Sequence, residues 1–134
     1  MKRNLLMLAV ANVLIFGMTA YAHHSIGATY DGNKEVKLVG KLVQFDFRNP
    51  HAFVHIEAPD KDGKMQRWAV EWGGASSLGG QGVTRTTLKV GDEVVITGNP
   101  ARGLSEGVYR LKMNTLFRKS DGFGWGTKPG ETVD

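Results

Sequence analysis

Beyond residue 35 the apolar residues fall in short alternating runs broken by Gly, Asp and Pro, a pattern of strands rather than helices. The first run, Val36-Lys37-Leu38-Val39-Gly40-Lys41-Leu42-Val43-Gln44-Phe45-Asp46-Phe47, is rich in residues that fit a pleated surface. Its alternation slips near Gly40, which predicts a bulge or sharp coil there and one long strand serving both sides of a barrel. Asn49-Pro50 stops it, and residues 52–57 form a second strand. Asp60-Lys61-Asp62-Gly63-Lys64 reads as a hairpin, its Asp-Gly supplying the positive φ of a tight turn, and leads to strand three over 65–72. Residues 73–87 are small, Gly-rich and only weakly helical around Ala75-Ser76-Ser77-Leu78. A turn over 88–92 precedes strand four, residues 93–98. Strand five follows over 109–117, with Tyr109, Leu111, Met113 and Phe117 on one face.

Three strands, a short irregular or helical crossing, then two strands is the order of a small all-β, five-stranded OB-like Greek-key barrel. A β-sandwich needs about seven strands. The predicted core is Val54, Ile56, Trp68, Val70, Val94, Ile96, Leu111 and Met113. Residues 35–118 are thus the barrel, and 119–134 a loose Gly-rich tail whose adhesive residues are Phe123 and Trp125.

The N-terminus follows a different pattern. Lys2 and Arg3 precede an apolar run over residues 5–20, and Ala20-Tyr21-Ala22 sets small residues where a signal peptidase reads. An uncleaved anchor is the alternative, but the run is short for a span of ~20 apolar residues. Residues 1–22 are therefore expected to be a signal peptide and 23–34 a leader, with the mature chain in the periplasm and no stable membrane insertion. Of the 134 residues, removal of 22 leaves 112, and the charge of +4 falls to +2, with 15 Lys and Arg against 13 Asp and Glu. The pI near 9.5 is thus partly the address label. Nucleic acid loses its support as a partner, and the expected partners are a metal ion or an envelope protein. The chain has no cysteine, which removes disulfides, thiolate metal sites and cysteine nucleophiles.

The stretches AHHS, YD, VKLVGKLVQFDFRNPH, RWAVEW and LKVGDEVVITGNPA, with DG near the end, together resemble a family of small exported bacterial proteins of unknown function. More distantly, the strand order is similar to the bacterial OB-fold proteins of the periplasm. The resemblance implies export and a β-barrel core. It implies no reaction.

The four histidines carry the candidate chemistry. Cleavage after Ala22 makes His23 the first residue, so its free amine and imidazole can close a chelate ring on one metal, with His24 adding a second imidazole. Nitrogen-rich, roughly square sites suit Cu(II), which heads the affinity order. Copper is thus the expected metal, and a frayed, solvated terminus is the competing reading. His51 and His55 share a strand face with Phe53 and Glu57, opposite Ala52, Val54 and Ile56. About 13 Å of extended strand separates them, too far for one ion, so one of them is expected to complete a site begun by His23. The competing role for His51 is to bond the turn backbone.

Arg48, Phe53, Glu57 and Glu71 form a candidate ligand or partner face on the early strands. Glu71, between Trp68 and Trp72 in sequence, is a candidate for a raised pKa and an acid, base or ligand role. Its plainer role is an ion pair with Arg67, Arg48 or a lysine. Asp60, Asp62 and Glu71 have calcium-loop spacing, but Met65 stands where the loop needs glycine. Neither a phosphate loop nor a Gly-x-Ser-x-Gly elbow is present. The expectation is a non-enzymatic binding module that takes Cu(II), or else an envelope interaction domain without metal.

Overall fold

The computed structural model describes residues 26–127. Its strands are β1 (Val36–Asp46), β2 (Phe53–Pro59), β3 (Met65–Glu71), β4 (Glu93–Pro100), β5 (Arg110–Arg118) and β6 (Phe123–Trp125). One short helix, α1 (Ala75–Gly80), follows β3. The strand order is β3-β2-β1-β4-β5-β6, and a parallel pairing of Ala69–Glu71 with Arg110–Lys112 closes the first five strands into a barrel. This is the expected OB-like arrangement.

β1 makes the barrel possible by serving two neighbours. Residues 36–41 pair with β4 and residues 41–46 with β2. The bulge expected near Gly40 lies instead between Leu42 and Gln44. Gly40 has another duty: a Cβ there would run into the Glu57 carbonyl oxygen and come within 2.9 Å of the Ala58 Cβ. Val54, Ile56, Trp68, Val70, Val94, Ile96, Leu111 and Met113 are all buried, joined by Leu38, Leu42, Trp72, Leu78, Val83, Leu88 and Leu116.

Two sequence expectations are corrected on β5 and beyond. A register shift between Thr97 and Gly98 reverses the alternation of β5, so Leu116 points into the core and Phe117 outward. Residues 123–125 are not loose tail: they add β6 beside β5, opposite 116–118. Trp125 packs edge-on against Trp72 at 5.2 Å, and its Nε1 donates to Gln81 Oε1 at 2.8 Å. Arg118 fixes the connecting turn by donating to both Asp121 carboxylate oxygens, Asp92 and the Thr87 carbonyl.

The leader is also part of the fold. Residues 26–29 form one helical turn that Tyr30 closes by donating its N–H to the Ile26 carbonyl at 2.9 Å. Tyr30 is 4% exposed and bridges to Ala101. Asp31 N–H donates to Pro100 O, and Arg102 N–H donates to Thr29 O. The Asp31-Gly32-Asn33 turn then delivers the chain to β1, with Asn33 N–H donating to Asp31 Oδ1.

Candidate functional site

On the outside of the barrel, the pairing of Asp46 with Phe53 and of Phe53 with Glu71 sets the candidates Phe53 and Glu71 in one row with Asp46 across β1, β2 and β3. His55 is one step along β2, and Arg110 enters from β5 opposite Ala69. The alternation read from sequence holds here: Phe53, His55 and Glu57 face outward while Val54 and Ile56 are fully buried.

His51 precedes β2 in a clamped loop. Ala75 N–H donates to the Arg48 carbonyl, while Asn49 Oδ1 accepts from Ser76 N–H and its amide donates to Ser76 Oγ. Ala52 exchanges backbone bonds with Gly73 and Trp72. A Cβ at Gly74 would sit 2.5 Å from the Pro50 oxygen, so the loop and the start of α1 touch through a glycine. The mount of His51 is therefore tied to the strand pair and to the helix.

Glu71 is the centre of the arrangement. Its Oε2 accepts a short hydrogen bond from the Tyr30 hydroxyl and another from Arg110 Nη2 at 2.7 Å. Arg110 Nε donates to the Tyr30 oxygen at 2.7 Å, closing a three-membered network. The second oxygen, Oε1, faces His51 Nδ1 at 3.3 Å. The Glu71 side chain is 13% exposed. Burial alone pushes its pKa up, but the Tyr30 and Arg110 hydrogen bonds and the Arg110 and His51 charges outweigh burial, leaving it below its ordinary value. The raised pKa expected from the flanking tryptophans is thus corrected: Trp68 and Trp72 point into the core, away from the carboxylate's partners. Burial and then the Glu71 hydrogen bond and charge push the Tyr30 phenol up, so it stays a donor at neutral pH. The expected partners of Glu71, Arg67, Arg48 or a lysine, give way to Arg110. Arg67 instead donates to Gln44 Oε1 at 2.6 Å.

His51 and His55 are not brought onto one ligand. His55 Nε2 meets Asp46 Oδ2 at 3.3 Å, and its ring stacks on Phe53 with centroids 6.2 Å apart. The Gln44 amide, which donates to Asp46 Oδ1 at 2.7 Å, and His55 together hold the Asp46 carboxyl below its ordinary value against the opposing effect of burial. Phe53 links the two histidine–carboxylate pairs: the Arg48 and Arg110 guanidinium carbons lie 5.7 and 5.1 Å from its ring centre. Glu57 is exposed and stands apart from the network. His23 and His24 lie outside the described residues. Among the described residues no group of three or more His, Cys, Asp or Glu is placed to hold a metal.

Tyr30, Arg110 and Asp46 are site residues that the sequence reading missed. Tyr30 had one available signal: an aromatic beside the Asp-Gly-Asn turn is poised to pack where the leader enters the barrel. Arg110, at the start of β5, becomes informative only once the parallel β3–β5 closure is known.

Residues 10–110 match the profile of a family described as a family of unknown function, DUF6152. No curated protein matches the chain significantly. Among solved structures, the chain is similar to a mitochondrial single-stranded DNA-binding protein of S. cerevisiae, with a TM-score of 0.46 and 12% identity over 64% of this chain and 93% of that one.

Proposed function

The chain belongs to the DUF6152 family, and we propose that this OB-like member is an exported, non-enzymatic binding module that takes up Cu(II) through its mature N-terminal histidine. Signal cleavage after Ala22 frees the His23 amine, which with the His23 imidazole chelates the ion, and His24 adds a further nitrogen. The supporting observation is the leader latch. Tyr30, seven residues after His23, is buried and bonded to Glu71, so the leader is held to the barrel at that residue. The periplasm is the proposed location, and a metal ion rather than nucleic acid is the proposed partner.

The test is a Cu(II) titration of residues 23–134 against the same chain with its N-terminal amine acetylated. The free-amine form should bind more tightly, because acetylation takes the amine out of the chelate ring. Equal affinities would discard the reading.

One observation favours a second reading, a metal-free envelope interaction face comprising Arg48, Phe53, Glu57 and Glu71. Arg48 makes no ion pair among the described residues and holds its guanidinium over Phe53, 5.7 Å from the ring centre, where a partner's carboxylate can reach it.

A further inference from the structure

We infer that the cleft between the segment 82–92 and the turn joining β5 to β6 is a binding site for a neutral saccharide. This goes beyond the copper reading and does not depend on it. The cleft is open, has a volume of about 490 Å³, and is lined by Thr86, Thr87, Lys89 and Asp92 from the first segment and by Ser120 and Asp121 from the turn. Small-ligand sites span roughly 300–1,000 Å³, so there is room for a sugar of one or two rings.

Arg118 holds the two walls together, and its side chain is only 12% exposed. On one wall its Nη1 donates to the Thr87 carbonyl at 2.7 Å and to Asp92 Oδ2 at 2.5 Å. On the other, Nε and Nη2 donate to the two Asp121 oxygens at 2.9 and 2.8 Å. Each wall is also fixed within itself. Asp92 Oδ2 accepts from the Lys89 N–H and Thr87 Oγ1 from the Thr84 N–H, while Asp121 Oδ1 accepts from the Phe123 N–H. The cleft is thus shaped by the fold, and a ligand does not have to order it on binding.

Charge decides the class of ligand. Among the described residues that line the cleft, Lys89 and Arg118 balance Asp92 and Asp121, so the site has no net charge. An anion entering it meets two carboxylates, and a cation meets a guanidinium and an ammonium; a neutral ligand meets neither repulsion. The unused polar atoms are a mixture of donors and acceptors. Lys89 Nζ, the Ser120 hydroxyl and Asp92 Oδ1 make no hydrogen bond among the described residues. The ammonium donates, the carboxylate oxygen accepts, and the hydroxyls of Ser120 and Thr86 do both. Sugar hydroxyls, each donor and acceptor at once, answer that mixture. Only one of the described lining side chains, Phe123, is apolar, which is too little for an apolar ligand. It suffices for the C–H face of a pyranose, which the π-system of a half-buried ring attracts as it attracts the Arg118 guanidinium, 5.3 Å from its centre.

The experiment titrates the isotope-labelled protein, without copper, with maltose, cellobiose and diacetylchitobiose, and follows the backbone amide shifts. At least one of the three should move the Thr87, Ser120 and Phe123 amides saturably, with a Kd no weaker than about 10 mM. Lys89→Met and Ser120→Ala each remove a group that no bond within the fold uses, and should weaken that binding about 3- to 10-fold. His51→Ala, outside the cleft, should leave it unchanged. No saturable shift of these amides with any of the three sugars overturns the inference, and so does binding that both cleft variants leave intact. Glycine or inorganic phosphate moving the same amides at lower concentration than the sugars overturns it as well, since the site would then be ionic.

Discussion

Gly40 separates two explanations for a strand glycine, local flexibility and close backbone approach. Its neighbours decide for the second, because the space a side chain would take is occupied by the Glu57 carbonyl and Ala58. Gly40→Ala should therefore destabilise the barrel by about 1–3 kcal/mol, the range of overpacking in a filled interior. Urea unfolding at constant m-value measures this, and an unchanged midpoint would mean that β1 and β2 separate freely there. At the same scale, the outward His55 and the core residues of β2 were readable from period-two alternation alone, whereas His51 lies in the loop before that strand. The pKa direction of Glu71 was not: it depends on Tyr30 and Arg110, 41 and 39 residues away in sequence.

The leader is held by backbone bonds to Pro100 and Arg102 and by Tyr30 on the ionised Glu71 carboxylate. The folded-state pKa of Glu71 lies below its ordinary 4.5, so its network stabilises the folded leader fully above that value. The stabilisation is lost as pH falls through the lower folded-state value. Exchange protection of the Asp31 and Arg102 amides, which donate to Pro100 and Thr29, should hold near pH 7 and decline below about pH 4 once corrected for intrinsic rates. The Ile96 amide in the core should serve as the unaffected reference. Protection of the leader that is flat with pH would show that Glu71 is not its latch. β6 illustrates the limit of the sequence at this scale. Phe123 and Trp125 stood out as adhesive, but a three-residue strand among glycines has no alternation to read, and its place depends on the exposed edge of β5 and on Trp72. The reversal on β5 has a similar cause: an irregular register shifts every later side chain to the other face.

At the level of the whole molecule, strand order and core were legible because five alternating runs and their turns leave few ways to bury one face each. The candidate site was legible only in halves. Arg48, Phe53, Glu71, His51 and His55 were each visible, but the gathering of Tyr30, Arg110 and His51 on the Glu71 carboxylate comes from the β3–β5 closure and the returning leader, both non-local. The central proposal, an exported barrel holding Cu(II) at His23, depends on where the mature chain starts. Native mass spectrometry of the protein recovered from the bacterial envelope and supplied with one equivalent of Cu(II) reads the start and the metal together. The account predicts the mass of residues 23–134 plus one copper ion; a chain retaining residues 1–22, or one starting at His23 with no copper bound, would contradict it.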